Sequence, residues 1–175
     1  MRRIVTGHDG NGRSIIVSDG APPRTHEFQG FPGFVSSLVW ATEPGAHLNE
    51  SGEDLTAHVA SFVPRAGGTR LLLMVIPPDA NAALPSFDGP MFGGENLEFG
   101  PGLAELFEPD GMHTTPTVDY SIVLDGEIWL EVDDGQETRL TSGDVVVQNG
   151  TRHAWRNKSD RSATLAAVLT GADRA

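Results

Sequence analysis

The last third of the chain constrains the fold most. Six short runs rich in Val, Ile, Leu and Thr occur there, at Asp119 to Leu124, Gly126 to Val132, Glu137 to Leu140, Asp144 to Gln148, Thr151 to Asn157 and Thr164 to Leu169. The turn sequences Leu124-Asp125-Gly126, Asp133-Asp134-Gly135, Thr141-Ser142-Gly143 and Asn149-Gly150 separate them. β-Branched residues suit half-buried pleated strands, and Gly, Asn and Asp tolerate the backbone angles of tight turns. Short antiparallel strands in succession leave unpaired edges unless the sheet closes or is doubled, so the pattern predicts an all-β barrel or double sheet.

The same rhythm runs upstream less evenly, in a chain that holds 21 Gly and 12 Pro in all. Arg3 to Thr6 and Ser14 to Ser18 flank Asp9-Gly10-Asn11-Gly12 and read as a hairpin. After the break at Ala21-Pro22-Pro23, Phe34 to Thr42 reads as a strand with Phe34, Leu38 and Trp40 on one face. Glu43 to Thr56 reads as a loop carrying His47, Ala57 to Phe62 as the next strand, and Pro64 to Gly68 as a turn. Thr69 to Ile76 lacks polar alternation, which predicts a strand covered on both faces and ended by Pro77-Pro78. Asp79 to Gly111 is a long irregular segment with one helical turn at Leu103 to Phe107. A segment of that length in a compact domain serves as a lid or as a packed cover. The expected organisation is one domain over residues 1–175: N-terminal strands in 1–78, the lid or loop in 79–111, and a β core in 112–170.

Length and charge narrow the partners. A chain of 175 residues suits one compact domain. Twenty-four acidic against twelve basic residues give a net charge of −12, which leaves no basic footprint for nucleic acid or anionic membrane. There is no cysteine, so disulfides, thiolate metal sites and thiol nucleophiles are excluded, and any metal must rest on nitrogen and oxygen ligands. The basic start Met1-Arg2-Arg3 meets Gly7, His8 and Asp9 before any apolar run. The longest apolar stretch, Leu71 to Ile76, is far short of the roughly 20 residues that cross a bilayer. The expectation is a cytoplasmic protein acting on a small molecule, with a homodimer as its assembly.

Polar residues on strands supply the candidate chemistry. His113, Thr115, Thr117 and Asp119 share odd parity, so an extended backbone points them to one face, and His153 lies on a strand pattern behind Gly150. Two histidines and one carboxylate can hold one face of a divalent metal and leave the opposite positions open. Zinc on those ligands would polarise water or a carbonyl. The plain alternative is a pair of hydrogen-bonded barrel histidines, with Asp119 accepting from Thr115, Tyr120 or backbone. His47 and His58 have no spacing partner, although either could complete a site from another element. Trp129 and Trp155 are expected to pack. The Phe and Met residues of the Asp79 to Gly111 segment, among them Phe87, Met91, Phe92 and Phe99, could wall a ligand pocket, since barrel mouths are common small-molecule sites. Asp133, Asp134 and Glu137 flank a turn as a solvated face, and Gly93-Gly94 lacks the strand, lysine and helix start of a phosphate loop.

Two stretches resemble the motifs of the cupin superfamily. In Gly111-Met112-His113-Thr114-Thr115-Pro116-Thr117-Val118-Asp119-Tyr120-Ser121-Ile122-Val123-Leu124-Asp125-Gly126, His113 falls on the first metal histidine of the first motif. Asp119 falls there on the glutamate, with six residues between it and the closing Gly126, and Thr115 replaces the second histidine. In Gly143 to Asn157, Gly150, His153 and Asn157 match the second motif, and Gln148 stands where proline is usual. The chain is most similar to small single-domain bacterial cupins with a His-x-Thr-x-x-x-Asp-Tyr stretch.

The resemblance implies an all-β double-stranded β-helix, or jelly-roll, barrel with extra N-terminal strands. It also implies an active site inside the barrel, with iron, manganese, nickel or zinc on His113, Asp119 and His153; Thr115 and Tyr120 are further pocket candidates, and His58 could join them from another element. The chemistry implied is that of a dioxygenase, isomerase or decarboxylase acting on an oxygen-bearing organic substrate. The alternatives are a metal-free ligand-binding or sensing module and a metal-free enzyme using His113 or His153 as a general base.

Overall fold

Two-residue alternation builds the sheets. Along the last strand, Ala163, Leu165, Ala167 and Leu169 are buried while the residues between them are only partly covered, the signature of a strand with one face on a core. The computed structural model describes residues 1–48 and 54–173. Its strands are β1 (Arg3–His8), β2 (Ser14–Gly20), β3 (Arg24–Glu27), β4 (Val35–Thr42), β5 (Thr69–Ile76), β6 (Thr117–Asp125), β7 (Glu127–Glu131), β8 (Glu137–Thr141), β9 (Val145–Asn149), β10 (Ala154–Arg156) and β11 (Ala163–Gly171). One α-helix, α1 (Gly89–Phe99), lies between β5 and β6.

All pairings between these strands are antiparallel. A six-stranded sheet has the order β3-β4-β5-β11-β6-β9, a three-stranded sheet the order β10-β7-β8, and β1-β2 form a separate hairpin. The expected all-β jelly-roll is therefore present, with strands distant in sequence lying side by side. Ile128 and Leu140 of the small sheet pack with Ile76, Val123, Ala163 and Leu165 of the large one, so one core sits between the two sheets. A second cluster, Leu38, Phe62, Leu72, Ala167 and Leu169, continues along the same face of the large sheet.

Asn157 ties three of these pieces together. Its fully buried amide donates to Ile76 O and to Arg161 O, both at 2.8 Å, and its Oδ1 accepts from Ser159. The end of β10, the end of β5 and the approach to β11 are thereby held by one side chain whose polar atoms are satisfied inside the protein.

The N-terminal hairpin, the strand ending at Ile76 and the six C-terminal strands fall where the sequence places them. Three local expectations are corrected, and one strand is added. Ala57 to Phe62 is not a strand: the Asp54 carboxylate accepts from Thr56 N at 3.0 Å and coils Leu55–His58 into a 3-10 turn. Arg24–Glu27 is a strand, paired with β4 despite its charged composition. A register shift in β4 between Leu38 and Trp40 breaks the period, so Leu38 is fully buried while Trp40 is half-buried beneath the Arg3 guanidinium. The segment 79–111 is largely ordered by α1 and by short 3-10 turns, including Ala104–Leu106 within the expected helical turn. Residues 49–53 of the expected Glu43 to Thr56 loop lie outside the described residues.

Helix α1 begins where Asp88 accepts from Met91 N at 2.9 Å, with Pro90 in its first turn, where no amide donor is needed. It is pinned to the loop after β3 by Glu95, whose carboxylate accepts from Gln29 N and Gly30 N at 2.9 Å and meets His26 Nε2 at 3.0 Å. Gly30 is required by close approach, because a Cβ there would lie 2.2 Å from Phe92 N. Phe99 stacks on the His26 ring with centroids 3.6 Å apart.

Candidate active site

Odd parity carries the site. From His113 to Val123 every odd-numbered residue is buried, so Thr115, Asp119 and Ser121 project inward from β6 and the segment leading into it. His113 is held against His153 by a reciprocal backbone pair, each N–H donating to the other carbonyl at 2.9 Å. This single bridge joins the approach to β6 to the approach to β10. It sets the two imidazoles side by side, with centroids 4.2 Å apart and planes inclined by 49°.

These residues line one cavity of about 610 Å³, within the range of small-molecule sites. Leu72, Met74 and Ile76 of β5 and Ala167 and Leu169 of β11 form one wall. Phe92, Gly93, Asn96 and Leu97 of α1, with Phe31, Phe34 and Phe107, form the cover. His113, Thr115, Asp119, Ser121 and His153 form the polar end, beside Trp155. The segment 79–111 is thus both a packed cover and a wall of the cavity.

The His153 hydrogen bond defines its tautomer. Nδ1 lies 2.9 Å from Thr151 O, and a carbonyl only accepts, so the ring proton sits on Nδ1 and Nε2 carries the lone pair. His113 repeats the arrangement more loosely, with Nδ1 3.5 Å from Gly111 O. Burial, and secondly the charge on a protonated His153, push the His113 imidazole down to about 4, and burial also lowers His153. Both rings are neutral near pH 7. Burial raises the Asp119 carboxyl above its ordinary value, opposed by a hydrogen bond from Thr117, and Asp119 Oδ1 is buried without a partner. Thr115 and Thr117 share a hydroxyl hydrogen bond of 2.7 Å.

The structure therefore brings His113, Thr115, Asp119 and His153 into one cavity. It leaves out two of the other candidates. Tyr120 has even parity and stands 47% exposed on the opposite face of β6, and His58 is exposed on the 3-10 turn after Asp54. His47 is likewise exposed. Trp155 was expected only to pack and instead faces the cavity, two residues beyond His153 on the same side of the chain. Ser121 continues the odd series by one step. The aromatic cover had no comparable signal, because Phe31, Phe34, Phe92 and Phe107 meet only through the path of the chain. Gln148, opposite Asp119 in the β6–β9 register, is buried with Nε2 unpartnered.

The metal set requires a separate test. The donors have suitable chemistry: an open His153 Nε2 and an orphaned Asp119 oxygen. Among the described residues, however, no group of three or more His, Asp or Glu side chains is arranged to hold an ion. The expected ligands share a cavity and do not converge on a common point. Among the described residues, too, no helix is long and apolar enough to cross a membrane.

Comparison with known proteins agrees with this architecture. The family model Cupin_2, a cupin domain, matches residues 103–169, the span that carries the polar end and most of the C-terminal strands. The Phomopsin biosynthesis cluster protein D of Diaporthe leptostromiformis is 32% identical over 165 residues, covering 90% of this chain and 70% of that protein. The Phomopsin biosynthesis cluster protein C' of the same organism is 31% identical over 163 residues, with the same coverage of both chains. A cupin-domain-containing oxidoreductase, fogC, of Aspergillus ruber is 25% identical over 156 residues, covering 89% of this chain and 63% of that protein. These relatives are fungal, whereas the motif pattern pointed to bacterial cupins. With its jelly-roll sheets, its matched domain and a relative similar over most of both lengths, the chain belongs to the cupin superfamily.

Proposed function

We propose that the chain is a small-molecule enzyme whose reaction takes place at the polar end of the cavity. One observation carries the reading: two buried imidazoles and a carboxylate with a buried, unpartnered oxygen line one end of a chamber whose wall and cover are largely apolar. Such groups are costly to bury unless a bound molecule completes their hydrogen bonds. His153 Nε2 is the natural proton acceptor, since its ring is oriented by the bond to Thr151 and the imidazole is uncharged. His113 lies against it, and a proton taken by one ring disfavours a second charge on the other. Asp119 offers the nearby carboxylate oxygen, whose raised affinity for protons lets it hold or return one. Helix α1 with Phe31, Phe34, Phe92 and Phe107 covers the bound molecule and excludes water from it. The printed names of the relatives, biosynthesis cluster proteins and a cupin-domain oxidoreductase, agree with a role in small-molecule metabolism.

The test is turnover. Extracts of apolar metabolites from the organism that encodes the protein are incubated with wild type, His153→Gln and Asp119→Asn, and compared by mass spectrometry. Compounds consumed by wild type, with the rate reduced about 100-fold or more in His153→Gln, support the reading. No consumption by wild type, or equal consumption by the variants, contradicts it.

A second reading keeps a divalent cation, iron, manganese, nickel or zinc, on His113, Asp119 and His153. The open Nε2 and the orphaned Asp119 oxygen favour it, and a side-chain movement is needed to bring the three together. Such an ion, when bound, would supply Lewis-acid or oxygen chemistry. Elemental analysis of protein purified without affinity tag or chelator, and again after reconstitution, decides it. Near-stoichiometric metal lost in Asp119→Ala and His153→Ala supports the cation, and metal-free wild type after reconstitution contradicts it.

A further inference from the structure

The polar side chains at the rim of the cavity already have partners, and the groups at its polar end describe the ligand. At the rim, the Arg156 guanidinium is held by Glu131 at 2.5 Å and by Asp110 O at 2.8 Å. Glu108 is paired with Arg152, Asp79 accepts from Asn157 N, and the Asn96 amide donates to Phe92 O. Each of these side chains already has a partner inside the protein. What is left at the polar end is His153 Nε2, on the ring edge opposite the bond to Thr151, the second ring nitrogen of His113, and the Asp119 carboxylate, whose Oδ1 is buried without a partner. With both rings protonated on Nδ1 and the carboxylate ionised, all three are acceptors. The hydroxyls of Thr115 and Ser121 can turn either way. No lysine lines the cavity, and its one arginine is already paired.

Resting on the proposed function, we infer that the ligand is an uncharged, largely apolar molecule that brings an O–H or N–H donor to the polar end, a phenol or a comparably placed hydroxyl or amine N–H. The apolar walls and phenylalanine cover match its body. The donor satisfies acceptors that have no hydrogen-bond partner in the protein, and a site built to meet a donor rejects an analogue that lacks it. A carboxylate or phosphate would place negative charge beside Asp119 with no free cation to receive it.

Calorimetry with three compounds of one skeleton tests this near neutral pH: a naphthol, its methyl ether and the matching naphthoate. The naphthol is expected to bind about ten-fold or more tightly than the ether, and the naphthoate weakest. In Asp119→Asn or His153→Gln the preference for naphthol over ether should shrink to about three-fold or less. An ether that binds as tightly as the naphthol, a naphthoate that binds best, or a preference unchanged in both variants overturns the inference while leaving the cavity a ligand site. If none of the three binds, the inference falls together with the cavity reading beneath it.

Discussion

His113 is a buried imidazole whose surroundings disfavour its charged form. Its imidazole falls from 6.5 to about 4, first because it is buried and then because His153 lies beside it. Between those two values the unfolded chain binds a proton that the folded chain does not. Stability therefore falls as pH drops from 6.5 towards 4, by on the order of 3 kcal/mol, and the loss levels off below that. Asp119 works in the opposite sense: its raised value means that its contribution is present at low pH and is lost as pH rises through the folded value. Urea unfolding of wild type and His113→Gln at neutral pH and near pH 4 checks the larger effect. The wild type should lose markedly more stability on acidification, and equal losses would contradict the account. At this scale the sequence was legible wherever a strand supplied a ruler: His113, Thr115 and Asp119 were found by parity. Tyr120 was misplaced because the motif resemblance attracted it to the pocket, although its even position already pointed outward.

Helix α1 shows what local pattern misses. Gly93-Gly94 weakens its propensity, and Met91 and Leu97 are both exposed, so no apolar stripe marks it. Its order comes from tertiary contacts: the Asp88 cap, the Glu95 carboxylate and the fit of Phe92 against Gly30. Burial works against ionising Glu95, yet hydrogen bonds from Gln29, Gly30 and His26 hold its carboxyl below the ordinary value. Glu95→Ala should loosen the cover by about 2 kcal/mol, the scale of hydrogen bonds to a charged group. Hydrogen exchange would report it as faster exchange across residues 89–99 with β5, β6 and β11 unchanged. Uniformly faster exchange throughout the protein, or none, would contradict a local anchor. The reverse error, a strand expected at Ala57 to Phe62, has a similar origin, because the turn made by Asp54 and Thr56 is decided by one side chain and not by composition.

At the scale of the whole molecule, the jelly-roll was legible because the C-terminal strands are short, evenly spaced and separated by turn residues. The neighbour relations were not: β5 pairs with β11 and β11 with β6, contacts that no local window contains. Those pairings bring residues distant in sequence to one chamber, with the large sheet as wall, α1 as cover and the His113–His153 bridge at the polar end. The account rests on that end presenting two neutral rings, with the His153 proton on Nδ1 and its Nε2 open. Nitrogen-15 NMR of the histidine side chains across the pH range tests this most directly. The account predicts a neutral, Nδ1-protonated His153 near pH 7 and a His113 that takes up its proton only at about 4. An imidazolium at either position near pH 7, or a His153 proton on Nε2, would contradict it.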